Sequence, residues 1–176
     1  MSQTTVYDLS KVRILVADDS RFMRQLLTAV LTGLRIPHPY SAPNGEMALR
    51  IISEAKPDLL ITDWEMGPMN GIELVRALRD EKTSPNPTIP IIMMASHCAL
   101  ARVIEARDTG ANEFIAKPIT IDAVYKRLVS LIERPRPFIR LESYFGPDRR
   151  RKIEEFAGDD RRETSPNLIM TPPTAA

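Results

Sequence analysis

From Val12 onward, short apolar runs alternate with amphipathic segments, a pattern that admits little besides strands and helices taking turns around a parallel sheet. VRILVA over 12–17 reads as a buried strand. Ser20 then caps a helix in which Phe22, Met23, Leu26, Leu27, Val30, Leu31 and Leu34 recur at helical spacing. A short second strand over 39–42 reaches the turn at Asn44 and Gly45, and GEMALRIISEA over 45–55 reads as the next helix. LLITD (59–63), IIMMA (91–95) and EFIA (113–116) are three further strands, interleaved with helical segments at 72–79, within ALARVIEARDTGA and over 120–133. The fold class this predicts is α/β, a doubly wound five-stranded parallel sheet, followed by a C-terminal arginine-rich arm.

With 176 residues, 43% of them hydrophobic, the chain can bury one good-sized core. The organisation read from it is an N-terminal arm over 1–11, the domain over 12–133, an arginine-rich arm over 134–162 and a disordered tail over 163–176. The apolar runs are far shorter than a membrane span, and MSQTTVYDLSK lacks the charged start and apolar stretch of a signal peptide. A cytoplasmic protein without a membrane partner is expected. A single cysteine, Cys98, excludes an internal disulfide and a cysteine-rich zinc site. Charge is uneven: 134–162 holds eight of the eighteen arginines plus Lys152 against six acids, whereas 1–133 sums to −1. After Glu133 the core period is lost in RPRPFIR, which places the arm outside the domain, with a short helix over 149–157.

In a doubly wound sheet the carboxyl ends of the strands share one edge, and ligands bind there. Asp18 and Asp19 follow the first strand, Asp63 ends the third and Lys117 follows the fifth, so all four converge on one crevice. Three carboxylates that close repel one another unless a hard cation sits among them, and oxygen ligands with open positions suit Mg2+. A lysine facing that site balances a phosphoryl group, and the chemistry that fits is phosphoryl transfer to Asp63. Helix capping by itself accounts for Asp19 and Ser20 but not for the convergence of three strand ends.

At ADDS, ITDWEMGPMNG and FIAKPIT, residues 11–133 resemble the CheY-like receiver domain of response regulators, a flavodoxin-like fold. The resemblance implies that Asp63 is the phosphoacceptor and that Asp19, Asp63 and the backbone carbonyl of Glu65 hold the metal, with Asp18 acting through water. It also implies that Lys117 contacts the phosphoryl group, that the Lys117-Pro118 bond is cis, and that a histidine kinase is a partner. The chain departs from the pattern at the switch. Receivers carry a Thr or Ser hydroxyl where Ala95 stands here; Ser96 is one residue on, and a one-residue shift turns a strand side chain to the other face. Phe114, at the aromatic switch position, has no hydroxyl either.

The arm writes Gly-x-Asp-Arg-Arg twice, at 146–150 and 158–162. Arginine's planar fork matches phosphate and the guanine O6/N7 edge, and a neighbouring aspartate can accept from guanine's pairing edge. Two such units suit a ligand with two guanines and two phosphates. With the stretch RPFIRLESYFGPDRRR, the chain resembles the Cle family of CheY-like cyclic di-GMP effectors. That resemblance implies cyclic di-GMP binding by Arg136, Arg140, Tyr144, Phe145, Asp148, Arg149, Arg150, Asp159, Asp160, Arg161 and Arg162, and docking on a flagellar motor switch protein. The expected function is therefore non-enzymatic signalling. A phosphorylation-driven single-domain regulator, with a tail that binds no nucleotide and serves at most as a partner contact, is the alternative, and a solvated charge run is the common fate of such segments. Six acids in the arm disfavour a nucleic-acid partner.

Overall fold

In the computed structural model, the described residues are 7–96, 100–149 and, as backbone, 167–169. Five parallel strands form one sheet: β1 (Ile14–Ala17), β2 (Tyr40–Ala42), β3 (Leu59–Asp63), β4 (Ile91–Ala95) and β5 (Glu113–Ala116), in the order β2-β1-β3-β4-β5. They alternate with helices α1 (Arg21–Gly33), α2 (Gly45–Ala55), α3 (Gly71–Arg79), α4 (Leu100–Thr109) and α5 (Ile121–Glu133), as the apolar pattern predicts. No helix among the described residues is long and apolar enough to cross a membrane.

Strand side chains divide between two cores because they alternate across the sheet. Ile14, Val16, Ile61, Ile92, Met94 and Ile115 join Leu27, Leu31, Val124 and Leu128 of α1 and α5. On the other face Leu15, Leu60, Ile91 and Met93 meet Ile52, Leu74, Val75 and Ala106 of α2, α3 and α4. Helix starts are set by short polar side chains: Ser20, Asn44 and Thr120 accept from the amides of Met23, Met47 and Ala123. Asn70 and Glu73 form a reciprocal capping box at α3, one feature absent from the sequence-level reading.

The largest difference from expectation lies after α5. Phe138 and Ile139 are buried, so the arm begins packed on the domain rather than outside it. Strands β6 (Phe138–Leu141) and β7 (Tyr144–Pro147) form an antiparallel hairpin, and β8 (Asn167–Ile169) pairs antiparallel with the other edge of β6. The disordered reading of 163–176 therefore does not hold for Asn167–Ile169, whose backbone groups find partners on β6. Of the helix expected over 149–157, all but Arg149 lies outside the described residues, and Arg149 itself is not helical.

What seats the hairpin is Arg79, at the end of α3. Its guanidinium donates to the carbonyls of Gly110 (3.0 Å) and Pro87 (2.8 Å) and to Asn112 Oδ1 (3.1 Å), and it faces the Phe138 ring at 5.0 Å. Burial pushes this guanidinium down to about 9, a rare environment for arginine, tolerated because its donors are taken up by fixed oxygens. Gly110 takes a φ of 115°, and a Cβ there would meet Arg79 Cγ at 2.9 Å, so a side chain at that position conflicts with both backbone and arginine. Pro87 precedes β4 and Asn112 precedes β5, which puts the hairpin at the rim opposite the carboxyl ends of the strands.

Candidate functional site

At the carboxyl edge, each strand end is tied to its neighbour by a backbone hydrogen bond. The Asp18 amide donates to Ala42, the Trp64 amide to Met94 and the Lys117 amide to Ala95, at 3.2, 2.8 and 2.9 Å. These ties bring together the four residues predicted from their strand-end positions. Carboxylate oxygens of Asp18, Asp19 and Asp63 lie within 4.8 Å of one another, with Asp18 and Asp63 buried and Asp19 exposed. Lys117 Nζ lies 2.9 Å from Asp63 Oδ1 and 3.4 Å from Asp18 Oδ2. The Lys117-Pro118 bond is cis, as is Gly67-Pro68.

One ammonium is thus shared between two buried carboxylates, and the titration shifts follow from that imbalance. Burial pushes the Asp63 carboxyl above its ordinary value of 3.8; the hydrogen bond and charge of Lys117 pull it back, and the charge of Asp18 adds to the rise. Burial alone would lower Lys117, but its hydrogen bond to Asp63 and the charges of Asp63 and Asp18 outweigh this and hold it above 10.5. The residual negative charge, with two carboxylates buried and one open to solvent, fits a hard divalent cation with free positions for water. Mg2+ held by Asp19, Asp63 and the Glu65 carbonyl would neutralise charge as a phosphoryl group approaches.

Other residues position these groups. Arg24 of α1 donates to the backbone carbonyls of Asp18 (2.6 Å) and Asp19 (3.0 Å), and the Ser20 amide donates to Asp18 Oδ1 (2.9 Å), leaving its other oxygen toward Lys117. Gly71 permits the tightest approach among the described glycines: a Cβ there would lie 2.1 Å from the Asp63 carbonyl oxygen, while its amide donates to Trp64 O at 2.9 Å. No local pattern marks Arg24 as a pocket residue, because the carbonyls it binds turn back toward it only in the folded chain.

Ala95, Ser96 and Phe114 are all among the described residues. Ala95 ends β4 paired with Ala116, 2% exposed and without a hydroxyl. Ser96 follows the strand and is exposed, so it does not take over that register position. Phe114 is half-buried against the α3 and α4 core. The Glu65 side chain accepts from Arg102 Nη1 of α4 at 2.8 Å, and Arg102 lies over the Trp64 ring at 5.3 Å, contacts that the sequence does not reveal.

The arm candidates that are described lie far from this pocket, at the opposite rim. Arg140 donates to Glu81, with Nε at 2.8 Å from Oε2, and faces the Phe145 ring. Phe145 in turn lies 5.6 Å from Phe138. Arg149 stacks on Tyr144 at 3.9 Å and reaches the Asp108 carbonyl at 3.2 Å. Arg136 borders a cleft with Pro135 and Phe138, and the Asp148 amide donates to Pro137 O at 2.8 Å. Arg150, Asp159, Asp160, Arg161 and Arg162 lie outside the described residues.

The model for the response regulator receiver domain matches residues 14–129. The chain belongs to that family. It is 30% identical over 123 residues to the chemotaxis protein CheY of Pseudomonas aeruginosa, covering 70% of this chain and 98% of that protein. The CheY homolog of Campylobacter jejuni is 35% identical over 122 residues, covering 69% and 92%. Among solved structures, a response regulator of Chloroflexus aurantiacus superposes with a TM-score of 0.63 at 28% identity, covering 70% of this chain and all 100% of that one. This is therefore a CheY-like signalling receiver, and receivers of this family bind Mg2+ through an acidic pocket such as the one formed by Asp18, Asp19 and Asp63.

Proposed function

We propose that this receiver serves as a platform whose arginine-rich stretch binds cyclic di-GMP and thereby controls docking to a partner, a flagellar motor switch protein. The observation that carries this reading is the seating of the arm: Phe138 is buried beside Arg79 while Arg149, at the start of the first Asp-Arg-Arg unit, rests on Asp108 of α4. A ligand gathered by the arm would thus act on a segment joined to α3 and α4. Arg149 is 41% exposed and its carboxylate contact with Asp108 is long, 3.7 Å, so a phosphate or guanine competes with a weak surface pair. Supporting the same reading, the hydroxyl through which receivers report phosphorylation is absent at Ala95.

A second reading is favoured by the Lys117 contact with Asp63. In it a histidine kinase supplies the phosphoryl group: an Asp63 oxygen attacks phosphorus, the bond from phosphorus to the donor imidazole breaks, and the imidazole keeps the electron pair and takes up a proton. Lys117 balances charge on the transferring oxygens. The two readings are compatible, since the described arm candidates lie at the rim opposite the acidic pocket.

Isothermal titration of the full chain with cyclic di-GMP tests the first reading. Micromolar or tighter binding is expected, weakened roughly a hundredfold or more in Arg149→Ala with Arg150→Ala, which removes two charge-assisted contacts of about 1.5–3 kcal/mol each. The substitution is preferable to truncation at Glu133, which would also strip Phe138 from its buried seat. No heat with the intact protein would reject the nucleotide reading and leave the phosphorylation-driven one.

A further inference from the structure

We infer that Arg102 of α4 is the phosphoryl-binding side chain that couples the acidic pocket to α4, in the absence of a switch hydroxyl at Ala95. The inference deepens the phosphorylation reading and rests on Asp63 being the acceptor. Trp64 and Glu65 are the two residues that follow Asp63, and Arg102 touches both: it donates to Glu65 Oε1 at 2.8 Å and lies 5.3 Å from the Trp64 ring centroid. With Asp19, Met66 and Asn70, these three residues line an open cleft of about 480 Å³, in which Arg102 is the basic side chain. A helix that contributes nothing to the strand-end pocket is thus held at its mouth by one guanidinium.

Its present partner is easily exchanged. The Glu65 side chain is 60% exposed and that of Arg102 32%, and an ion pair with one member this open to water holds weakly. An acyl phosphate on Asp63 would replace one carboxylate charge with nearly two, beside a lysine already shared between Asp18 and Asp63. A planar guanidinium on a long stem can take two phosphoryl oxygens at once, which Glu65 cannot match in charge. Moving from Glu65 to the phosphoryl group, Arg102 would draw the first turn of α4 toward β3. The same helix carries Leu100 and Ile104, both exposed, and at its far end Asp108, which holds Arg149. Arg102 and Asp108 are about 9 Å apart along the helix axis, so one rigid element spans from the acceptor pocket to the root of the arm.

Beryllofluoride, which mimics the acyl phosphate, is titrated into the full chain in Mg2+ and read by the emission of Trp64, the chain's single tryptophan. Arg102→Ala is expected to raise the midpoint roughly tenfold or more, with partial recovery in Arg102→Lys. Glu65→Gln, which removes the competing carboxylate, is expected to lower it, and by less when Arg102 is already alanine, because the two residues share one contact. Thermal unfolding of Glu65→Gln should match the parent, since that side chain is exposed, and Arg102→Ala should lose no more than its contact with the Trp64 ring. An unchanged midpoint in Arg102→Ala overturns the assignment. Failure of the parent protein to bind beryllofluoride, by contrast, would reject the acceptor reading of Asp63 and the role of Arg102 with it.

Discussion

Asp63→Asn is expected to abolish phosphoryl incorporation from acetyl phosphate and, in metal-free buffer, to raise the thermal midpoint by a few degrees. The first effect follows from removing the carboxylate that Lys117 approaches at 2.9 Å, nearer than Asp18 at 3.4 Å. The second follows from the sign of the Asp63 shift. Burial raises its folded-state value above the ordinary 3.8, so the ionised carboxylate is less stable in the fold than in the unfolded chain. That cost is fully present at pH values above the folded-state value, and it disappears as the pH falls through the window down to 3.8. Replacing the charge with an amide relieves it, in the manner of other functional sites that trade stability for activity. Lys117 keeps Asp18 at 3.4 Å as a partner for its ammonium, which limits what is lost with the Asp63 hydrogen bond and charge. Intact-mass measurement after incubation with acetyl phosphate checks the first effect; a phosphorylated Asp63→Asn protein would show that another residue accepts. Calorimetry from neutral to mildly acidic pH checks the second, and a gap between variant and parent that does not narrow toward acid would contradict it.

Phe138→Ala is expected to cost about 3–5 kcal/mol, enough to lower the midpoint by roughly 10 °C. The ring is 2% exposed, covers the buried Arg79 guanidinium and contacts Phe145 across the hairpin. Its removal leaves a cavity and lets water reach a cation whose donors are now held by carbonyls and Asn112. Amides of β6 and β7 should lose hydrogen-exchange protection well before those of β1, β3 and β4. A loss within the ±0.5 kcal/mol typical of surface substitutions would mean that the C-terminal hairpin is not part of the core.

Local sequence carried most of the receiver. Strands β1, β3, β4 and β5 are short runs built on apolar residues, α1, α2, α3 and α5 each show an apolar face, and Ser20 caps α1 by accepting from the Met23 amide. The acidic pocket was legible because parallel strands fix which end of each run faces the crevice, so Asp18, Asp63 and Lys117 could be assigned to one edge without coordinates. The hairpin was not legible. Phe138 and Ile139 are two apolar residues in a stretch broken by Pro135 and Pro137, and the guanidinium that faces Phe138 comes from Arg79 at the end of α3, held there by Gly110 and Asn112.

Arg79 shows the same limit more sharply. At the last position of an amphipathic helix it reads as a solvated charge, and only folding supplies the carbonyls of Gly110 and Pro87 that let it be buried. Arg102 likewise reads as a helix-surface cation until α4 is laid beside the Trp64 loop. By itself, then, the sequence determined what depends on periodicity and on strand polarity: the five α/β units, their order of elements and the converging acids. Tertiary structure alone decided which arginines are buried, which guard the pocket and where the arm is rooted. The physical reason is that a guanidinium's position is set by the oxygens and rings it meets, and for Arg79, Arg102 and Arg140 the side-chain hydrogen-bond partners lie 8 to 59 residues away in the chain.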